Sequence, residues 1–332
     1  MSIVSQTVSP VIRREVPSTA HPVGCRDLLA AFSSRNGHAL ATGKVRFVGV
    51  DGCDVYNTTA PFNHDGKSFI AGRVEPRETE LATVVFFEQR PDGAWEPSAG
   101  TPRFEGLQDP CATVVAGELV VGGVRSPVEL TDGRRSYRME FYRGRTLAEL
   151  RRFLVGPDGM KDIRLIELPN RRVAVFTRPQ GAVGGRGKIG YTVVSTLADL
   201  RADVIESAPL FPGQFLDEEW GGANEIHVLA NGKLGVLGHI ARFDEREHRH
   251  YYGMVFSVDE NGVPTPLRII AQRSMFPPGP SKRDDLADVI FSGGLVRHGD
   301  GTATLFAGIS DVETAYIRIP DPFAEFESQP AE

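Results

Sequence analysis

Residues 225–243 read EIHVLANGKLGVLGHIARF, and this stretch decides the fold. Two β-branched, apolar runs flank Asn231-Gly232. That arrangement predicts a β-hairpin, with a type I′ turn because Asn-Gly accepts positive φ. The same grammar extends outward. Runs such as KVRFVGV (44–50), SFIAGRV (68–74), ATVVFFEQ (82–89), SYRMEFYRG (136–144) and YYGMVFSVD (251–259) are seven to nine residues long. Asp92-Gly93, Asp132-Gly133, Asn261-Gly262 and Asp300-Gly301 punctuate them, as expected of strands joined by tight turns. Helical signals are few. Thr146-Leu-Ala-Glu149 predicts a capping box opening a short helix through Phe153, and 195–202 (STLADLRA) offers another turn or two.

The hairpins recur through 332 residues without a Pro/Ser-rich linker, so the chain reads as one all-β domain. A sandwich of about 100 residues is too small. Four-stranded blades of about 40–65 residues suit the length and give a five-bladed β-propeller over 41–320. Residues 1–40 are expected to be an N-terminal extension packing on it, and 321–332 a tail. This implies more than ~40% strand and less than ~12% helix.

Hydrophobic residues make up 41% and charged residues 24%, which excludes disorder and coiled coil. No apolar run reaches membrane-spanning length. The net charge of −6 argues against nucleic acid as a partner. Three scattered cysteines, Cys25, Cys53 and Cys111, fit a reducing cytoplasm better than a disulfide framework or a zinc knuckle. A homo-oligomer is compatible with all of this. The run GAVGGRGK (181–188) lacks the spacing of a nucleotide-binding loop. No Gly-x-Ser-x-Gly elbow is present.

Polar residues gather between strands, and in a propeller such segments converge on the axis. Asp109 precedes Pro110 and has Leu107, Gln108, Cys111 and Ala112 around it. A carboxylate among apolar or uncharged neighbours can have a raised pKa and serve as a general acid. The simpler reading is that Asp-Pro starts a turn. Lys161, Arg164, Arg178, Lys188 and His239 lie on strands or beside glycines and could surround an anion, or make ordinary ion pairs with Asp162, Glu167 and Glu225. His248 and His250 share a strand face, but no third ligand has metal-site spacing, so neither a metal nor another cofactor is expected. Trp220 and Trp95 can stack on a sugar or pack.

Taken together, YNTTAPF, AGRVEPRETE, LQDP, GELVVGGV, KDIRLIELPNRRVAVFTRPQG and NEIHVLANGKLGVLGHIARF resemble the β-1,2-mannan mannosyltransferase/phosphorylase family. That family was long catalogued as domain of unknown function 1861 and now forms glycosyltransferase family 108. The likeness spans residues 40–320. A thinner likeness is to the family-130 β-mannoside phosphorylases, which are five-bladed propellers. The resemblance implies that Asp109 is the general acid, acting through a sugar hydroxyl. It implies that Lys161, Arg164, Arg178, Lys188, His239 and either Tyr251 or Tyr252 hold phosphate. Asn57, Arg73, Glu75, Gln108, Asp162, Trp220, Asn224, Glu225 and Asp288 are the candidates for contacting the mannooligosaccharide.

Inverting phosphorolysis needs one acid and an anion pocket, because phosphate is the nucleophile; inverting hydrolysis needs a second carboxylate to activate water. The expected activity is therefore inverting phosphorolysis of β-1,2-mannooligosaccharides to mannose 1-phosphate, or the reverse transfer. Inorganic phosphate is the co-substrate, and a sugar nucleotide is an alternative donor. Two rivals remain. One is an inverting hydrolase using Glu75, Glu225 or Asp288 as base. The other is a non-catalytic sugar-binding propeller.

Overall fold

In the computed structural model, which describes residues 21–35 and 38–328, the 229–233 hairpin forms with a different turn from that expected. Leu229 N–H donates to Lys233 O and Gly232 N–H to Leu229 O, each over 2.9 Å. Positive φ is confined to Gly232, at 82°. The turn is thus type I followed by a left-handed residue, not type I′. Asn231 contributes by accepting the Lys233 N–H at 3.2 Å rather than by adopting positive φ. The turns ending at Gly93, Gly133 and Gly262 repeat this pair of backbone bonds. At 168–172 the same turn places Arg171 in the left-handed position, with φ 67°.

These hairpins build five antiparallel sheets. Blade 1 pairs Asp54–Tyr56, Lys67–Glu75, Thr83–Gln89 and Trp95–Pro97, with two short additions. Blade 2 pairs Leu107–Val115, Glu118–Glu129, Arg135–Gly144 and Arg151–Val155. Blade 3 has three strands, Arg164–Glu167, Val173–Thr177 and Gly190–Val194. Blade 4 pairs Trp220–Val228, Leu234–Phe243, Arg249–Val258 and Arg268–Ala271. Blade 5 combines Ile290–Arg297, Thr302–Ile309 and Glu313–Pro320 with Ala41–Lys44, so the start of the domain completes its last blade. The result is the expected five-bladed propeller, with 47% strand. Helix, at 12%, sits at the upper limit of the expectation.

The apolar core is divided into wedges between blades. Phe176, Ile226, Val236 and Phe256 pack between blades 3 and 4, Leu237, Val255, Ile290 and Leu305 between blades 4 and 5, and Met139, Phe141, Leu165 and Val175 between blades 2 and 3. That arrangement leaves the axis to polar residues from the innermost strands.

Several local expectations need correction. The strand expected at 44–50 occupies Ala41–Lys44. Beyond it Val45, Phe47 and Val50 cross to pack on blade 1. The Thr146 segment makes only a 3₁₀ turn, Leu147–Glu149, without a side-chain cap. Its continuation Arg151–Val155 is recruited as the outer strand of blade 2. The true capping box lies at Thr196, which accepts from Ala198 N–H while Asp199 accepts from Thr196 N–H. Residues 1–20 of the N-terminal extension lie outside the described residues. Within it, the helix Cys25–Ser34 packs Cys25, Leu28, Leu29 and Phe32 on blade 4. The segment after Pro320, expected to be a tail, inserts Phe323 (0% exposed) and Phe326 (4%) into the core.

Candidate functional site

Asp109 lies within the innermost strand of blade 2, not at a turn. The ladder bulges between Gln108 and Cys111, and Asp109 takes φ 48° there. The bulge aims the carboxylate off the sheet. It meets not the apolar surroundings its sequence neighbours suggest but Asn57 Nδ2 at 2.9 Å and an Arg73 guanidinium nitrogen at 3.2 Å. Asn57, after the first strand of blade 1, also has positive φ, 46°. Arg73 is fixed in turn by Glu75, which also accepts from Tyr56 and from Lys282. With both oxygens engaged and 1% exposure, Glu75 anchors this network instead of facing a sugar, so the sequence assignment of Glu75 as a substrate contact is not supported. Lys282 reaches it across 207 positions of sequence.

The second half of the site comes from blades 3 and 4. Asp162, with φ 56°, lies 3.5 Å from the Arg178 guanidinium and 3.9 Å from that of Arg164. Burial works against the Asp162 carboxylate, but Arg178 and Lys161 outweigh it and hold its pKa below the ordinary range. Burial likewise opposes the Lys161 ammonium, and Asp162 overcomes this to raise it. His239 is 2% exposed. Burial pushes it down to about 3 against the pull of Asp162, so its ring is neutral. It bonds Asn224 Oδ1 at 2.8 Å and stacks on Tyr251, ring centres 5.3 Å apart.

Two glycines measure how tightly these groups converge. A Cβ on Gly222 would lie 2.9 Å from Arg178 Cδ, 3.0 Å from His239 Cε1 and 3.1 Å from Asp162 Oδ2. One on Gly187 would meet the Arg178 guanidinium at 2.6 Å. Arg178 donates through Nε to Gly221 O at 2.7 Å. One of its terminal nitrogens, Asp162 Oδ2 and Asn224 Nδ2 are buried without a hydrogen-bond partner. Buried polar atoms are rarely left so; the Arg178 nitrogen and Asp162 Oδ2 face each other at 3.5 Å, and Asn224 adjoins them through His239.

Asp109, Gln108, Lys161, Arg178, Trp220 and Tyr251 line one pocket of about 320 Å³, with Val124, Ser126, Tyr137, Gln180, Arg186 and Phe243 completing it. Of the two competing tyrosines, Tyr251 faces the pocket, while Tyr252 is buried in the blade 3–4 core. The Trp220 indole N–H donates to Tyr251 Oη at 3.0 Å.

Other expected residues fall elsewhere. Arg164, Asn224 and Glu225 line a separate axial cavity of about 210 Å³. Arg164 donates through Nε and one terminal nitrogen to the Asn224 and Ile163 carbonyls. Glu225 accepts from Leu295 N–H and pairs with His227. Lys188 is absent from the pocket lining and its ammonium sits 3.7 Å from Asp217; Gly187, not Lys188, is the member of that loop against the guanidinium. Asp288 pairs with His250 at 2.6 Å, outside the pocket. Among the described residues no group of three or more His, Cys, Asp or Glu could hold a metal.

Sequence reasoning missed Asp311. Burial pushes this half-buried carboxyl up, Asp109 and Glu75 add to the rise, and Arg73 and Lys282 oppose it. Its signal is the Ser310-Asp311 pair between two strands, both at positive φ.

The comparisons with known proteins agree with this architecture. The chain is 33% identical to MPT-4, a mannose phosphorylase from Leishmania mexicana solved with phosphate ion; 92% of this chain and 96% of that one align, with a TM-score of 0.83. It is 28% identical to MPT-1, a GDP-Man-dependent mannosyltransferase from the same organism, over the same shares, with a TM-score of 0.81. The β-1,2-mannobiose phosphorylase of Listeria innocua shares the fold, at 11% identity, 83% and 93% coverage and a TM-score of 0.58. No curated protein matches. The family model described as "Protein of unknown function (DUF1861)" matches residues 32–325, and the chain belongs to that family.

Proposed function

We propose that the protein is an inverting phosphorylase of β-1,2-mannooligosaccharides, releasing mannose 1-phosphate, and that it also runs in the direction of transfer. The observation that carries this reading is the buried Arg178 guanidinium, one nitrogen of which has no hydrogen-bond partner and only a 3.5 Å ion pair with Asp162, in the same pocket as Lys161 and Asp109. A cation pair without a full complement of acceptors suits a tetrahedral oxyanion. Asp109 is the single proton donor in this scheme, and phosphate attacks the anomeric carbon from the cationic side. As the C–O bond breaks, the proton that began on Asp109 ends on the leaving oxygen, relayed by a sugar hydroxyl. The neutral His239 ring orients Asn224 and Tyr251 and adds no charge. Similarity to MPT-4, which was solved with phosphate ion, supports the same reading.

Hydrolysis would need a second, available carboxylate. Glu75, Glu225 and Asp288 are each engaged away from the pocket space, Asp311 is pushed toward its protonated form, and Asp162 is buried in ion pairs with Arg178 and Arg164. A sugar-nucleotide donor is the second reading, carried by the similarity to MPT-1. The deciding experiment is incubation with β-1,2-mannobiose, with and without inorganic phosphate. Mannose 1-phosphate formed only with phosphate supports the proposal; mannose alone, at a rate independent of phosphate, overturns it. Mannose transfer from GDP-mannose but not from mannose 1-phosphate selects the second reading.

A further inference from the structure

The pocket has a depth gradient that the catalytic groups do not explain. Asp109 (8% exposed) and Arg178 (2%) form its floor. Tyr137, Gln180 and Phe243 are half-buried and Arg186 is exposed, so they form its mouth. Arg186 lies 5.2 Å from the Phe243 ring centre and 5.9 Å from that of Trp220. Among the described residues it has no ion-pair partner. Cation–π contact at these distances steadies the guanidinium while leaving its N–H groups free to donate.

The backbone that carries it is fixed. Gly181 and Gly185 exchange two hydrogen bonds of 2.8 Å, and φ is positive at Gly181, Gly185 and Gly187. The Arg186 carbonyl accepts from Gln180 Nε2 at 2.8 Å, and Gln180 is held by the Tyr137 hydroxyl of blade 2. An unpaired fork of donors is thus presented in a set position at the pocket entrance.

The ligand chemistry follows from what surrounds it. The other two pocket cations, Lys161 and Arg178, are drawn to Asp162, and the neighbouring Arg249 is already paired with Asp285. The remaining mouth groups, Ser126, Tyr137 and Gln180, are neutral. A single guanidinium among neutral hydroxyl and amide groups suits a neutral polyol. Resting on the phosphorylase reading above, we infer that Arg186 is the specificity-determining contact for the sugar on the leaving side of the scissile bond, donating to its hydroxyls.

The test is the split of kinetic constants in Arg186→Ala and Arg186→Lys, with melting temperatures confirming that these exposed substitutions fold. KM for β-1,2-mannobiose, and for acceptor mannose in the reverse direction, should rise about tenfold. KM for phosphate and for mannose 1-phosphate should stay within twofold. Lys keeps the charge but not the fork and should not rescue. Equal rises for phosphate and mannobiose, rescue by Lys, or no change in either constant would overturn the inference. Calorimetric titration of β-1,2-mannobiose into Asp109→Asn, with and without Arg186→Ala, reads the same contact without turnover. A wild-type protein that makes no mannose 1-phosphate refutes the parent reading alone. Mannobiose binding equally well with and without Arg186 refutes this one alone.

Discussion

Asn57 Nδ2 donates to Asp109 Oδ1 over 2.9 Å, and both residues hold left-handed backbone, φ 46° and 48°. Two neighbouring blades therefore each store a strained residue to bring one amide onto one carboxylate. Strain of this kind persists where surrounding structure over-determines it, and it clusters at functional sites.

That geometry separates two substitutions that look equivalent in sequence. Asn tolerates left-handed backbone and keeps an acceptor for Asn57, and Glu75 still pairs with the Arg73 that loses its Asp109 contact, so Asp109→Asn should lose less stability than Asp109→Ala while turnover falls ~10²–10⁴-fold. Asp109→Ala should lose the same activity and a further ~1–2 kcal/mol relative to Asn, because Ala neither offsets positive φ nor accepts from Asn57 and Arg73. Melting curves and single-turnover rates on both variants check this. Wild-type turnover in the Asn variant would remove Asp109 from the chemistry.

Gly222→Ala tests whether the cation cluster is one site. Its new methyl must displace Arg178, His239 or Asp162, at a cost of about 1–3 kcal/mol. Displacement by a fraction of an ångström to an ångström should lower kcat/KM about 10²-fold. Unchanged kinetics for phosphate would show that these three side chains do not act together.

Acid sensitivity follows from His239. The folded state holds its pKa at about 3, so the unfolded chain takes up a proton first as pH falls below 6.5, the ordinary value of the ring. This contribution to stability is complete above 6.5 and is lost as pH falls from there toward 3. His239→Asn should flatten the decline of melting temperature across that window. A wild-type slope retained in the variant would assign the acid sensitivity to other groups.

In the turn between the first two strands of blade 3, Arg171 occupies the position that glycine fills in the equivalent turns. Its ion pair with Glu167, at 2.7 Å, is 73% exposed on the arginine side and worth little. Arg171→Gly relieves about 1–2 kcal/mol of left-handed strain and adds about 0.5–1 kcal/mol of glycine flexibility. A net gain of about 0.5 kcal/mol is expected, and calorimetry of the variant reads it.

The propeller was legible because its hairpins are local. Asn231-Gly232 and its equivalents mark a turn by composition, whatever subtype forms. The pocket was legible where residue type alone limits the use, as with Arg178 beside a buried Asp162. It was not legible where partnership decides the outcome. Nothing near Glu75 in sequence signals that Lys282 neutralises it, and nothing near Lys188 signals that its ammonium turns to Asp217. Arg164 and Glu225 sit one strand position from useful places, but the pleat and the bulge at Ala223–Glu225 turn them into the neighbouring cavity.

Ala41–Lys44 lies against Glu313–Pro320, and the Lys44–Glu313 contact spans 269 residues of sequence. Its consequence belongs to the timing of synthesis. Emerging early from the ribosome, this strand must wait for residue 320 before it has a partner. Blades 2 to 4 are local enough to form as they appear. Asp109 can meet Asn57 and Arg73 once blades 1 and 2 dock, but Lys282, which secures Glu75 behind Arg73, and Asp311 arrive only when the ring shuts. A nascent or truncated chain would thus carry folded blades and no competent pocket, and ring closure would be the last step before activity.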